Sequence, residues 1–164
     1  MKTESELGDA VLLGEAIRAI RKYRRMRTSE VAKALDMPTR TYEHLEAGQG
    51  RISYDRLARF AEVTNSDSVA LIIAMMLGEP SFAIHCADNK LAEVMMHALG
   101  ELNEDLGADI GFLETRTIIA AFRKACHELS EHVRKRDTFA ENWLRDRTEK
   151  ARAAPATPQK RRLM

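Results

Sequence analysis

The sequence predicts an all-α protein, and three observations support this fold class. Apolar residues recur at spacings of three and four along most of the 164 residues, as they do on the buried face of a helix. Almost no window alternates with a period of two, and glycine and proline are rare inside the periodic segments and lie mostly between them. One extended-like stretch, Ser81–Cys86, is too short to form a sheet of its own.

Five helices are expected in the first 78 residues, each bounded by a capping or breaking residue. Small polar residues favour the N-cap because their side chains accept hydrogen bonds from the first backbone N–H groups, and glycine favours the position after the last turn. The expected helices run from Gly8 or Asp9 to Met26, from an N-cap at Thr28 or Ser29 to the break at 36–38, from Pro38-Thr39 to Ala47, from Ser53 onward, and from a cap at 65–67 to Gly78.

Three further helices are expected in the second half of the chain. They run from Asp88 or Asn89 to Gly107, from about Asp109 to Lys135, and from a cap at Asp137 or Thr138, where Glu141 completes a capping box with Thr138. From about Ala153 the sequence has too little apolar surface to bury, which predicts a disordered tail. The expected divisions are a first domain at 8–78, a connector at 79–87, a helical oligomerisation domain at 88–152 and a basic tail at 153–164.

The charge of the chain is unevenly distributed, although the net charge is only +1. Arg18 to Arg27 holds six basic residues and no acid, and residues 145–164 hold seven basic and two acidic residues. Local clusters of this kind suit contact with phosphate. The longest apolar stretch, Val69 to Leu77, is half the length that a membrane span needs, and we expect neither a span nor a signal peptide. Two cysteines far apart favour a reducing cytoplasm.

The strongest local signal lies between Arg27 and Gly48. Val31-Ala32 packs the middle of one helix, and the small Ala32 allows the next helix to cross closely. A tight turn follows at Asp36-Met37. In the next helix Tyr42 and Leu45 face inward, so its first turns present a short polar face that suits insertion in a major groove: Thr39, Arg40, Thr41, Glu43 and His44.

With these residues in place, the stretch from about Leu13 to Leu77 resembles the lambda-repressor-like helix-turn-helix family, which includes Cro-type and xenobiotic-response-element-type regulators. The resemblance lies in Val31-Ala32, Met37, Tyr42, Leu45-Glu46 and Gly48 at the family's spacing. Two positions differ. Asp36 stands where the family has glycine, and aspartate tolerates the left-handed backbone needed there. Thr28 stands where glutamine is common, and threonine is shorter.

The resemblance implies a five-helix domain that binds double-stranded DNA. Thr39, Arg40 and His44 would face base edges, with Arg40 suited to guanine O6 and N7. Arg21 and Glu46 would form an internal ion pair that ties the first helix to the end of the third. The residues expected to contact DNA, including those that would reach phosphates, are Arg27, Thr28, Thr39, Arg40, Thr41, His44 and Arg51.

No enzyme, metal or cofactor site is expected. The histidines and cysteines lack the closely spaced pairs of a structural zinc site, and no calcium loop or phosphate-binding glycine loop occurs. Cys126 lies on the apolar stripe of its helix, so we expect a packed thiol. The helical second half also differs from the β-rich self-cleavage domain of some phage repressors.

The second half carries an apolar stripe at heptad spacing. Its members are Phe112, Thr115, Ile119, Phe122, Cys126, Leu129 and Val133. Such a stripe is buried either in an intramolecular hairpin or at a subunit interface. Because helix-turn-helix proteins read two half-sites as dimers, we favour a homodimer or higher homo-oligomer. The expected interface residues are Leu102, Phe112, Ile119, Phe122, Leu129 and Val133.

Three functions remain open at this point. The first is a homo-oligomeric transcription regulator, and repression is favoured because blocking a promoter needs only occupancy. The second is an antitoxin-like or adaptor protein whose helical half binds a protein partner, and the third is a sensor of a small ligand. The order of the halves is also similar to that of phage proteins that govern lysogeny, which implies a bacterial or phage-encoded regulator in the cytoplasm.

Overall fold

The computed structural model describes residues 4–153, with side chains from 8 to 150 except position 137. This part of the chain contains helices and no strand, which confirms the all-α prediction. The predicted tail lies beyond the described residues, apart from Ala153. The helices are α1 Glu4–Tyr23, α2 Thr28–Ala34, α3 Thr39–Glu46, α4 Tyr54–Val63, α5 Ser68–Leu77, α6 Ser81–Cys86, α7 Leu91–Leu106 and α8 Thr115–Ala153, with a 3₁₀ turn at Gly107–Phe112.

The chain forms two compact units, one ending at Gly107 and the other beginning at Ala108. The core of the first unit joins α1, α2, α3, α4 and α5, and its largest members are less than 2% exposed: Ile17, Ile20, Val31, Tyr42, Phe60 and Leu71. Burial of each such apolar side chain contributes about 1.5–3 kcal/mol. The core therefore fixes α2 and α3, the two helices of the motif, against α1 and α4.

The boundary between α1 and α2 differs from the expected one. Arg25 has a left-handed backbone with φ of 56°, so α1 ends at Tyr23 instead of Met26. The N-cap of α2 is Arg27, not Thr28 or Ser29. The carboxylate of Glu30 accepts a hydrogen bond from the Arg27 backbone N–H at 2.7 Å, which supplies locally what a polar cap would otherwise supply.

Ser81–Cys86 is a short helix, so the extended-like interpretation of this stretch was wrong. A run of six residues is too short for its apolar pattern to separate strand from helix. Pro80 precedes it with φ of −56° and ψ of −28°, and its fixed φ already suits a first helical turn. Ala83 and Cys86 then share one helix face and are buried against the core.

Two carboxylates accept hydrogen bonds from the first backbone N–H groups of α5 and α7 and so join the two helices. Asp67, 1% exposed, accepts from the Ala70 N–H of α5 at 2.8 Å. Its other oxygen accepts from the N–H groups of Ala92 and Glu93 in α7, at 2.9 and 3.1 Å. In return, the Glu93 carboxylate accepts from the backbone N–H and the hydroxyl of Ser68, both at 3.0 Å. We call Asp67 and Glu93 the cap exchange.

The cap exchange also explains where α7 begins. Asp88 or Asn89 was expected to open this helix, but α7 begins at Leu91, after Lys90 in a left-handed conformation. Asn89 accepts only from the Leu91 N–H, at 2.9 Å. Asp67 satisfies the next donors, and Asp88 instead bonds to Tyr23 and Arg24. The carboxylate that caps α7 therefore belongs to Asp67, 25 residues before Ala92 in sequence.

In the second unit, α8 is one helix of 39 residues. The expected long helix to Lys135 and the separate helix capped by Asp137 or Thr138 are therefore continuous, and the start lies at Thr115 rather than at Asp109. The Thr138 hydroxyl donates to the Arg134 carbonyl within the helix at 2.9 Å, so it does not cap. A hydroxyl can bond back in this way inside a helix, which is why a capping pattern does not by itself end one.

Within residues 4–153, no single helix is long and apolar enough to cross a membrane. One pair, α4 with α5, meets the length and composition criteria together, and it is bent by 116°.

Candidate nucleic-acid interface

The turn between α2 and α3 has the geometry that the motif requires. Asp36 adopts a left-handed backbone with φ of 55°, as expected for the residue in the glycine position. The Met37 N–H then donates to the Ala32 carbonyl at 3.0 Å, and the Met37 side chain packs against the core. The turn redirects the chain at once, so α3 follows α2 at a fixed angle.

Helix α3 separates its two faces cleanly. Tyr42 and Leu45 are buried, at 1% and 7% exposure, and anchor the helix. The polar side chains on its other face are all exposed: Thr39, Arg40, Thr41, Glu43 and His44. The N-terminal half of α3 therefore presents short and long hydrogen-bonding side chains to solvent, as a helix that reads base edges must.

Three arginines at this surface are exposed, and none takes part in an ion pair among the described side chains: Arg27, Arg40 and Arg51. No carboxylate among the described side chains therefore neutralises their positive charge. Thr28 is half-buried, and its hydroxyl lies 3.4 Å from a carboxylate oxygen of Glu43. Glu43 thus touches a residue that we expected to contact phosphate.

Arg21 and Glu46 form a paired contact between α1 and the end of α3. Arg21 donates through Nε and a terminal nitrogen to the two carboxylate oxygens, at 2.5 and 2.9 Å. Glu46 is 5% exposed and Arg21 13%. Arg21 also donates to the Met26 carbonyl at 3.1 Å, so the same side chain holds the residues that precede α2.

Burial raises the pKa of Glu46, but hydrogen bonds and charge from Arg21, with the charge of Arg18, outweigh it. The pKa of this carboxyl therefore lies below its ordinary value of 4.5. Arg18 contributes an ion pair at 3.6 Å and a hydrogen bond to the Glu46 carbonyl at 3.1 Å. Tyr42 lies beside the pair, and burial, followed by Glu46, raises the pKa of its hydroxyl.

We expect Arg21→Ala to lower the free energy of unfolding by about 1–3 kcal/mol, because it leaves a buried carboxylate with only the longer ion pair to Arg18. The pair also links stability to pH. Since the folded pKa of Glu46 is depressed, its contribution is complete above 4.5 and is lost as the pH falls through the folded pKa. The free energy of unfolding, measured with urea, should therefore fall less between about pH 5 and pH 3 in Glu46→Gln than in the wild type. An equal loss of unfolding free energy over this pH range in the wild type and Glu46→Gln would contradict this role.

A glycine lets α1 approach α3 closely enough for these contacts. A Cβ at Gly14 would lie 2.7 Å from the carbonyl oxygens of Leu45 and Glu46. Backbone atoms cannot move aside as a flexible side chain can, so this position requires glycine. The sequence gives no separate signal for it, because glycine within a helical pattern also occurs where nothing approaches.

Another arginine of the basic run serves the fold rather than the exposed surface. Arg24 donates to the carbonyls of Thr64 and Asn65 at 2.8 and 2.6 Å and pairs with Asp88 at 2.7 Å. It therefore joins the end of α1 to the turn before α5 and to the residues after α6. Sequence reasoning missed this function, since the three acceptors lie about 40 to 64 residues away.

The side chains expected at an oligomer interface are exposed in the single chain. Their exposures are 38% for Leu102, 84% for Phe112, 52% for Ile119, 40% for Phe122, 56% for Leu129 and 59% for Val133. Cys126, on the same stripe, is exposed too, contrary to the expected packed thiol. No group of three or more potential metal ligands occurs among the described side chains.

Comparison with known proteins gives one match and two negative results. Comparison with curated proteins and with solved structures found no match for this chain. A family model described as a helix-turn-helix domain matches residues 12–71, which is the segment from the middle of α1 into α5. Domains of this family are typically regulatory DNA-binding modules rather than enzymes. The match supports a DNA-binding helix-turn-helix domain at residues 12–71.

Proposed function

We propose that the protein is a sequence-specific transcription regulator that represses by binding operator DNA as a homo-oligomer. The observation that carries this proposal is the exposed polar face of α3 beside arginines that no carboxylate neutralises among the described side chains. In this arrangement α3 lies in the major groove, and its N-terminal residues meet the base edges. The setting would be the cytoplasm of a bacterium, with the gene carried by the bacterium or by a phage.

The roles divide by position on the surface. Arg40, Thr39 and His44 face base edges, and Arg40 has the fork geometry that pairs with guanine. Arg27, Thr28 and Arg51 reach phosphates on either side, and Thr41 supports the same face. Arg21 with Glu46 sets the orientation of α3 without touching DNA, since both side chains are largely buried.

A single domain of this kind contacts too little DNA for selective binding, so two copies are joined. Support comes from the exposed apolar side chains of α8, because a helix with such a stripe seldom remains in water. Repression follows from occupancy of the promoter alone and needs no contact with polymerase.

We expect Arg40→Ala to weaken binding to the operator by about 1–3 kcal/mol and to leave binding to random duplexes nearly unchanged. The physical reason is that a base-reading arginine discriminates between sequences, whereas a phosphate contact does not. The operator is first identified by chromatin immunoprecipitation with sequencing, and affinities are then measured by fluorescence anisotropy over a salt series. The log–log salt slope of the wild type should lie near −4 to −7, corresponding to about 4–8 phosphate contacts.

Arg51→Ala and Glu43→Gln are the matched controls for this measurement. Arg51→Ala should weaken specific and random binding alike and make the salt slope shallower by about 1. Glu43→Gln should have a smaller effect than Arg40→Ala. Equal losses on operator and random DNA for Arg40→Ala would assign Arg40 to phosphate, and a wild-type slope near zero would remove the DNA-binding proposal.

A second function is favoured by one specific observation, the length of exposed apolar surface in α7 and α8. An antitoxin-like or adaptor protein would use such a surface to bind a different protein. The regulator would bind a second copy of the chain at this surface, and the adaptor would bind the other protein there. Pull-down of one stoichiometric partner from the native host, with the chain itself monomeric in sedimentation, would favour the adaptor.

A further inference from the structure

Glu43 is the exposed carboxylate of α3, since the other acid of this helix, Glu46, is buried. In the proposed complex the exposed face of α3 meets DNA, which carries a negative charge for about every 1.7 Å of its axis. A carboxylate on that face is repelled by the phosphates unless it accepts a hydrogen bond from the DNA. The position of Glu43 therefore requires a partner that donates.

The side chain of Glu43 does not turn toward the nearest arginine of its own helix. Residues three apart on a helix are neighbours, so Arg40 could reach Glu43. No ion pair joins these two among the described side chains. The Glu43 carboxylate lies instead beside the first residue of α2, with Oε1 3.4 Å from the Thr28 hydroxyl. The cation and the carboxylate of this face are therefore open to different partners.

The contact with Thr28 orients the carboxylate and leaves part of it available. A hydroxyl has one proton to donate, whereas a carboxylate accepts through both of its oxygens. Thr28 meets Oε1, so Oε2 can accept from a donor outside the chain. At 3.4 Å the contact is longer than the about 2.7 Å of a strong O–H···O bond, so it does not compete with a better donor. Val31 and Ala32 fix α2 in the core, and Thr28 is thereby held in place beside α3.

The major groove offers few donors to such an acceptor. The amino groups at cytosine N4 and adenine N6 are the two donors on the base edges there. Adenine also presents the acceptor N7 beside its amino group, and two acceptors repel each other. Cytosine presents its amino group without a neighbouring acceptor on the same base, so a carboxylate fits cytosine better.

We propose that Glu43 determines specificity by accepting a hydrogen bond from the N4 amino group of a cytosine, with Thr28 as its positioning residue. The inference deepens the sequence-specific binding of the proposed function and rests on it. Arg40 and Glu43, about one turn apart, then read different bases, a guanine and a cytosine. Because its hydroxyl is directed to Glu43, Thr28 meets phosphate through its backbone N–H alone.

Selection from a library of random DNA duplexes tests this role with the full-length chain. The wild type should select a sequence with a cytosine at one position where Glu43→Gln selects adenine, because a glutamine amide pairs with adenine N6 and N7. Replacing that cytosine should weaken wild-type binding about fivefold or more in fluorescence anisotropy. The effect of Glu43→Gln on total affinity stays small, since the neutral amide also removes repulsion from phosphates.

Glu30→Gln is the matched control for the loss of charge. Glu30 is an exposed carboxylate in the first turn of α2, where it accepts from the Arg27 N–H, and a glutamine oxygen can accept in the same way. This variant should raise affinity for all duplexes alike and leave the selected bases unchanged. Thr28→Val, which lacks the hydroxyl, should weaken the preference for cytosine, and Thr28→Ser should retain it.

Two results would overturn the reading of cytosine by Glu43. One is the same selected sequence for the wild type and Glu43→Gln, and the other is an equal, uniform gain in affinity for Glu43→Gln and Glu30→Gln. The carboxylate would then only repel phosphate. An unchanged preference in Thr28→Val would overturn the positioning by Thr28. The proposed function fails by a different result, a wild type that selects no sequence from the library at all.

Discussion

Asp67→Ala is expected to lower the free energy of unfolding of the N-terminal unit by about 3–5 kcal/mol. The change removes the acceptor for three backbone N–H groups, those of Ala70, Ala92 and Glu93. Each buried donor left without a partner costs about 1–3 kcal/mol, and water cannot readily replace a carboxylate that is 1% exposed. Thermal and urea unfolding followed by circular dichroism measure the loss.

Asp88→Ala is the matched control, because Asp88 also accepts from Tyr23 and Arg24 but is 61% exposed. Exposed pairs contribute only about 0–1 kcal/mol, so this variant should stay close to the wild type. Asp67→Asn should lie between the two, since an amide keeps one acceptor oxygen and turns a donor toward N–H groups. Comparable stabilities of Asp67→Ala and Asp88→Ala would show that the cap exchange does not hold the unit together.

Replacing Ile119 and Leu129 together by aspartate is expected to dissociate the assembly and reduce operator affinity by about a hundredfold or more. Two carboxylates would enter an apolar seam, where desolvation of charge is costly. Without the second copy, each domain binds its half-site alone and the gain from linked binding disappears. Sedimentation velocity and anisotropy with operator DNA measure the two effects on the same sample.

Ala120→Asp with His127→Asp places two carboxylates on the opposite face of α8 and serves as the control. All four positions are exposed in the single chain, so neither variant should unfold it. If the apolar stripe of α8 is the interface, only the variant with aspartate at 119 and 129 dissociates to a smaller species. If the variant with aspartate at 119 and 129 remains assembled and binds operator normally, the stripe is not the interface. The adaptor function would then be favoured for the second half of the chain.

Much of the N-terminal fold could be predicted because its signals are local. The spacing of Ile17, Ile20, Val31, Tyr42 and Leu45 indicates which helix faces are buried, and all of them are buried. The left-handed backbone at Asp36 follows from the turn that the motif requires. The resemblance also implied a contact between Arg21 and Glu46, and these two side chains meet in the structure.

The contacts that could not be predicted join residues distant in sequence. Asp67 has the pattern of an ordinary cap of α5, and nothing near it indicates that its second oxygen caps α7. Arg24 belongs by sequence to a basic run, although its acceptors hold it inside the fold. Ser81–Cys86 is a helix with one buried face, whereas the apolar pattern of so short a stretch fits a helix or a strand equally well. The continuity of α8 past Thr138 was missed for a local reason, since a capping pattern is also compatible with an uninterrupted helix.

The cap exchange has a geometric consequence for the distance between α3 and the start of α7. A flexible linker lets two domains sample many separations, so it tolerates half-sites at varied spacing. Here the chain leaves α5 and α6 as a helix whose first turn is fixed to α5 by Asp67 and Glu93. The first turn of α7 is therefore held at a fixed distance from α3 within one copy. A partner that binds there would lie at that same distance from the exposed face of α3.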